Sequence, residues 1–170
     1  MIEKIDRYYL EISSEDEFKI KLKPSEDYKV KLLEPVNFEI NKFFYKQIGK
    51  KYQWIDRLSW SNSDWIKYVS NKNLKTFILK KNKDLVGYFE LILKVEIYES
   101  EIAYLGILEE YFHKGCGGYL LSEAIKKSFE FGAKRTWVHT CSLDHPNAIE
   151  NYKSRGMSIF KTEVLKRKAI

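Results

Sequence analysis

One stretch constrains this chain more than any other. Glu101-Ile102-Ala103-Tyr104-Leu105-Gly106-Ile107-Leu108 is an apolar run, Glu109 to Lys114 is a short polar loop, and Gly115-Cys116-Gly117-Gly118 then leads into Leu120, Leu121, Ala124, Ile125, Ser128 and Phe129 at helical spacing. The pattern predicts a buried strand, a glycine turn and a helix. The first turn of a helix leaves backbone N–H groups unpaired and carries the positive end of the dipole, and glycine lets a bulky anion reach that backbone, so a phosphate fits there. The same glycines also suit a tight strand-to-helix turn that holds nothing.

More residues bear on the choice. Glu101 to Ile107, followed five residues later by Phe112-His113-Lys114-Gly115-Cys116-Gly117, resembles the core strand and acetyl-CoA loop of the GNAT superfamily of N-acetyltransferases, whose loop reads Arg/Gln-x-x-Gly-x-Gly/Ala. The glycines match, and Phe112 stands where Arg or Gln is usual. A second run, Asp144 to Met157, is similar to the family's Asn-x-x-Ala-x-x-x-Tyr-x-x-x-Gly-Phe segment: Ala148, Tyr152 and Gly156 match, with His145 at the Asn position and Met157 at the Phe. The resemblance covers residues 74 to 165, and Tyr9-Leu10-Glu11 with Trp54 to Trp60 looks like the N-terminal part of a poorly characterised bacterial branch.

The resemblance implies an α/β (α+β) fold, with a mixed, mostly antiparallel central sheet splayed at an acetyl-CoA cleft and flanked by helices. It implies acetyl-CoA as cosubstrate and a primary amine as acceptor, joined by direct attack on the thioester. The pyrophosphate is expected on the backbone of His113, Lys114, Gly115, Cys116, Gly117, Gly118 and Tyr119, and the pantetheine alongside Leu105 and Ile107, with His145 and Asn147 at the start of the following helix. Tyr152 is the expected donor to the leaving thiolate and Glu101 the expected base. A rival from another class is a non-catalytic acyl-CoA-binding sensor or interaction module, which would need neither Glu101 nor Tyr152.

At 170 residues the chain fits a single domain, 1–170, able to bury a core without metal or disulfide. The net charge of +6, from 30 basic and 24 acidic residues, suits an anionic ligand. Nucleic acid is not expected, because no basic run is interleaved with stacking aromatics and no zinc-finger spacing occurs. Two cysteines, no signal-peptide pattern and no apolar run long enough to span a bilayer predict a reduced, cytoplasmic protein off the membrane, a monomer or homodimer. His139, Cys141, Asp144 and His145 lie close in sequence, but no second spaced pair completes a tetrahedral set, so no metal is expected. Cys116, at a helix start, is either a thiol of lowered pKa or a packed residue of the loop.

In chain order, Ile5 to Ile12 reads as a strand, and Phe18 to Leu22 and Tyr28 to Leu33 read as two antiparallel strands about the turn at Pro24. Asn37 is a candidate cap for a helix stopping near Gly49, and Ser63 or Asp64 for a second. Leu74 to Leu93 is a hairpin, Val95 onward the next strand, and Lys134 to Cys141, a helix from Pro146 and Met157 to Leu165 complete the pattern. Trp60 is a candidate acceptor wall or a core residue. Glu90, inside the apolar run Tyr88 to Leu93, is paired, exposed or acceptor-binding, since a buried carboxylate is costly otherwise.

Overall fold

The computed structural model describes residues 1–168. Its frame is one seven-stranded sheet built from β1 (Ile2–Ile12), β2 (Tyr28–Leu32), β3 (Leu74–Lys81), β4 (Asp84–Lys94), β5 (Glu99–Ile107), β6 (Arg135–Cys141) and β7 (Ser158–Lys168). The strands lie side by side in the order β2-β3-β4-β5-β6-β1-β7. Every neighbouring pair is antiparallel except β5 and β6, which run parallel. The helices are α1 (Phe38–Tyr52), α2 (Asn62–Val69), α3 (Cys116–Glu130) and α4 (Ala148–Ser154).

The expected splay is present. β5 and β6 share only the rungs Glu99↔Arg135, Ser100↔Thr136 and Glu101↔Trp137, after which Ile102–Ile107 and Val138–Cys141 diverge. A β-bulge in β5, where Glu90 faces Tyr104 but Leu91 faces Ile102, falls at the start of this divergence. A bulge sharpens twist and bends its strand, which turns β5 away from β6. On one face of the sheet α3 packs Leu120, Leu121, Ala124 and Ile125 against Leu91, Ile102, Ile107 and Val138. On the other, Phe44 and Ile48 of α1 meet Ile78, Tyr88 and Leu108. Gly106 permits that second contact, since a Cβ there would stand 2.7 Å from Ile48 Cγ2.

Local chemistry sets the helix ends. Asn37 caps α1 as expected, its side chain accepting from the Glu39 N–H at 3.1 Å. The second cap is Ser61 rather than Ser63 or Asp64: Ser61 and Asp64 form a reciprocal capping box, which Asp64 completes from the third helical position. The strand after β4 begins at Glu99, because Val95–Ile97 forms a 3-10 turn.

Two strand expectations are corrected. Residues 18–22 join no ladder; they form a strap in which the Lys19 N–H donates to the Arg155 carbonyl at 3.0 Å and the Lys21 N–H to Ser122 Oγ at 3.0 Å. Phe18 packs against the core while Ile20 and Leu22 stand exposed, so the alternation of lysine with apolar residues there marks no buried strand face. β2 pairs instead with β3, Tyr28↔Lys81 to Leu32↔Phe77.

Candidate active site

The gap between β5 and β6 opens into a cavity of about 640 Å³. One wall is β5, with Ile102, Tyr104, Leu105 and Ile107; the other is β6, with Val138, His139 and Cys141. The cavity floor on the α3 side is formed by Gly115 to Gly118, Asn151 and Tyr152, and the opposite mouth by the 53–56 turn and by Arg7 and Arg167.

The glycine turn has the features an anion needs. Gly115 caps α3 at φ 78, a conformation L side chains rarely adopt, and no side chain caps the helix from outside. No acid stands in its first turn. A Cβ on Gly117 would meet nothing closer than Asn151 Nδ2 at 3.9 Å, so the space in front of that backbone is open. These residues fit a cofactor pyrophosphate. Asn151 Nδ2 donates to the Gly117 carbonyl at 3.2 Å and fixes α4 beside the turn.

Of the residues expected to hold the cofactor, Leu105, Ile107, His113, Gly115, Cys116, Gly117, Gly118, His145 and Asn147 all line the cavity. Tyr119 does not: it is a buried core residue whose N–H already bonds the Gly115 carbonyl at 3.4 Å. Lys114 also lies outside the lining, exposed, with Nζ 5.4 Å from the centre of the Tyr111 ring. Phe112 stacks edge-on to His145 and lies under Lys51, whose Nζ is 5.1 Å from the ring centre. The cations nearest the turn were not legible from spacing. A Cβ on Gly118 would sit 3.1 Å from Arg155 Nη1 and 3.2 Å from Lys21 Cγ, and neither cation is ion-paired among the described residues. The buried Cys116 thiol is pushed up by burial, which suits packing and not nucleophilic attack.

Tyr152 lines the cavity and is buried, and burial together with Asp144 raises its phenol pKa well above the ordinary tyrosine value. Glu101 stands at the last paired rung, one residue before the gap opens, and is half-buried rather than part of the lining. Burial raises its carboxyl pKa, with Lys94 and Arg57 acting in the opposite sense. His139 lies on the cleft wall, and its pKa is lowered by desolvation and by Arg7.

Two acceptor expectations are corrected. Glu90 neither faces solvent nor reaches the cleft: it is fully buried, receiving Arg57 Nη1 at 3.0 Å, Asn41 Nδ2 at 2.7 Å and the Tyr68 hydroxyl at 2.8 Å. Trp60 lies outside the cleft, packed edge-on against Trp65 and Tyr68 and over Arg57, whose guanidinium carbon is 4.7 Å from its ring centre. Tyr52, Gln53, Trp54, Ile55 and Asp56 are the residues of that region that reach the cavity. Arg57 anchors their turn, its backbone N–H donating to the Tyr45 hydroxyl at 3.0 Å. Among the described residues no group of three or more His, Cys, Asp and Glu could hold a metal ion. No helix among them is long and apolar enough to cross a membrane.

Comparison with known proteins bears on the whole frame. The model of the acetyltransferase (GNAT) family matches residues 36–157. No curated protein matches the sequence. Among solved structures, a GCN5-related N-acetyltransferase from Sphaerobacter thermophilus superposes with a TM-score of 0.76 at 13% identity, over 96% of this chain and 51% of that one. One from Kribbella flavida gives 0.66 at 15%, over 95% and 56%. This chain therefore spans about half the length of those two relatives. An aminoglycoside acetyltransferase from an uncultured soil metagenomic sample, solved with trehalose, gives 0.65 at 16%, over 78% and 90%. At these identities the likeness is one of fold.

Proposed function

Because the chain belongs to the GNAT acetyltransferase family, we propose that it moves an acetyl group from acetyl-CoA to a primary amine bound in the β5–β6 cleft. The observation that carries this reading is the uncapped, acid-free start of α3 opening onto the same cavity as Tyr152. A sensor would need the first feature and not the second.

When bound, acetyl-CoA supplies an acetyl group activated as a thioester. The N–H groups at Cys116, Gly117 and Gly118 take the pyrophosphate, with Arg155 and Lys21 supplying the positive charge that Phe112 does not. Leu105 and Ile107 line the path of the pantetheine arm. Tyr152 holds a proton on its phenol oxygen for the departing sulfur, and Glu101, directly or through water, accepts the proton that the ammonium nitrogen must lose before it can attack. The raised carboxyl pKa brings Glu101 closer to the working pH, where a general base is most effective. His139, held neutral on the cleft wall, is the alternative proton acceptor.

Cys116 and Cys141 are free thiols, consistent with a reducing, cytoplasmic setting, and the cleft is built within one chain, so a monomer or homodimer would serve. Calorimetric titration with CoA tests the site. The open space at Gly117 means that Gly117→Val folds normally yet loses CoA affinity by at least tenfold; equal affinity in the variant would refute the site.

A further inference from the structure

Two cations, Arg7 and Arg167, line the acceptor mouth together with Asp56 and Asp144. Asp144 is already engaged, accepting from the Thr140 hydroxyl at 2.5 Å and the Cys141 N–H at 3.1 Å. Arg167 is held by Glu3 at 3.4 Å and by Gln53. Arg7 is different. Its nearest carboxylate, Glu163, accepts the Tyr9 hydroxyl at 2.5 Å and lies 3.5 Å from Lys161 Nζ, leaving Arg7 Nη1 at a loose 3.8 Å. Arg7 Nε is buried and has no hydrogen-bond partner.

A guanidinium presents a planar fork of donors that matches a carboxylate or phosphate, and the Arg7 side chain, about 30% exposed, donates no side-chain hydrogen bond among the described residues. Arg7 is therefore a receptor with unused donors at the end of the cleft where the acceptor enters. Its position also limits the ligand. Arg7 lies on β1 opposite Cys141 of β6, and paired strands are roughly 4.8 Å apart, so it stands about one strand spacing behind the gap where the amine must react.

We propose that the acceptor is a compact amine carrying its own anionic group, a carboxylate or phosphate a few bonds from the nitrogen, and that Arg7 receives that group. The inference rests on the acetyltransferase reading above. Asp56, exposed at the same mouth and free of ion pairs among the described residues, is placed to meet the ammonium before it is deprotonated. A polycation would gain from Asp56 but face the loosely paired Arg7 guanidinium.

The test is acetyl-CoA-dependent thiol release with matched primary amines: amino acids against their amides, an amino-sugar phosphate against the free amino sugar, and a polyamine. The anionic member of each pair is expected to be preferred at least tenfold in kcat/KM. Arg7→Gln is expected to bring that ratio toward one, mainly through the KM of the anionic member, and Arg7→Lys to restore part of it. Equal or reversed preference in the wild type, which needs no variant to fold, would overturn the inference while leaving the acetyltransferase reading in place. So would an Arg7→Gln protein that loses both members equally. A blank with every amine, from protein that binds CoA, would overturn both.

Discussion

Tyr152 keeps its proton throughout the useful pH range, because burial and the nearby Asp144 both disfavour the phenolate. Tyr152→Phe is expected to lower kcat by roughly 10²-fold or more while calorimetry finds CoA affinity little changed. For the same reason the wild-type rate shows no alkaline limb from this residue. Glu101 behaves oppositely. Its raised pKa means that the basic form is lost as pH falls through that value, so the wild-type rate climbs with pH across it. Glu101→Gln removes this limb and costs about 10²–10⁴-fold near neutrality, with the deficit shrinking at high pH as the acceptor deprotonates unaided. If full activity persists in Glu101→Gln and the loss appears in His139→Gln, the base is His139. The glycine start of α3 at Gly115 and Gly117 was legible in the sequence because it depends on neighbours a few residues away, and Tyr152 was singled out by the motif it shares with Ala148 and Gly156. Glu90 was not, since its partners Asn41 and Arg57 are 49 and 33 residues distant and alternation alone says nothing about what lies across the sheet.

At the scale of elements, the buried Arg57–Glu90 pair joins the turn after α1 to the middle of β4. Tyr45, Trp60, Trp65, Tyr68 and Tyr104 surround the guanidinium, with ring centres 4.1 to 5.6 Å from its central carbon. Removing one member of such a pair strands the other charge in a dry site, which typically costs about 3–5 kcal/mol. Arg57→Ala is therefore expected to lower the denaturant midpoint by that equivalent and, because Asp56 and Trp54 share the turn, to raise the KM of the acceptor more than that of CoA. An Arg57→Ala protein as stable as wild type would show that the pair is not the anchor. The helices were readable from caps and periodicity to within a few residues. The strap at 18–22 was misread because its period of two is also the signature of a strand, and only the absence of a free sheet edge beside it distinguishes the two.

For the whole molecule, element order was enough to foresee a mixed sheet, while the gap between β5 and β6 followed only from the family resemblance. It could not reveal that β1 is inserted between β6 and β7, since strand order depends on pairing across nearly the full sequence. β1 makes both ladders of that half, Arg7↔Cys141 and Arg7↔Glu163 among their rungs. Deleting residues 1–12 is thus expected to unfold β6 and β7 and to abolish CoA binding, whereas loss of a peripheral strand would spare both; circular dichroism and titration distinguish these outcomes. The same insertion sets a timetable for biosynthesis. Asp6 bonds Ser142, 136 residues further along the chain. At ribosomal speeds of about 5–20 residues per second, β1 waits roughly 7–27 s for its first partner to be made. Throughout that wait its apolar residues and unsatisfied backbone are open to chaperones and to other nascent chains. Pulse-labelled hydrogen exchange on stalled ribosomes should find amides of β3 and β4 protected well before those of β1.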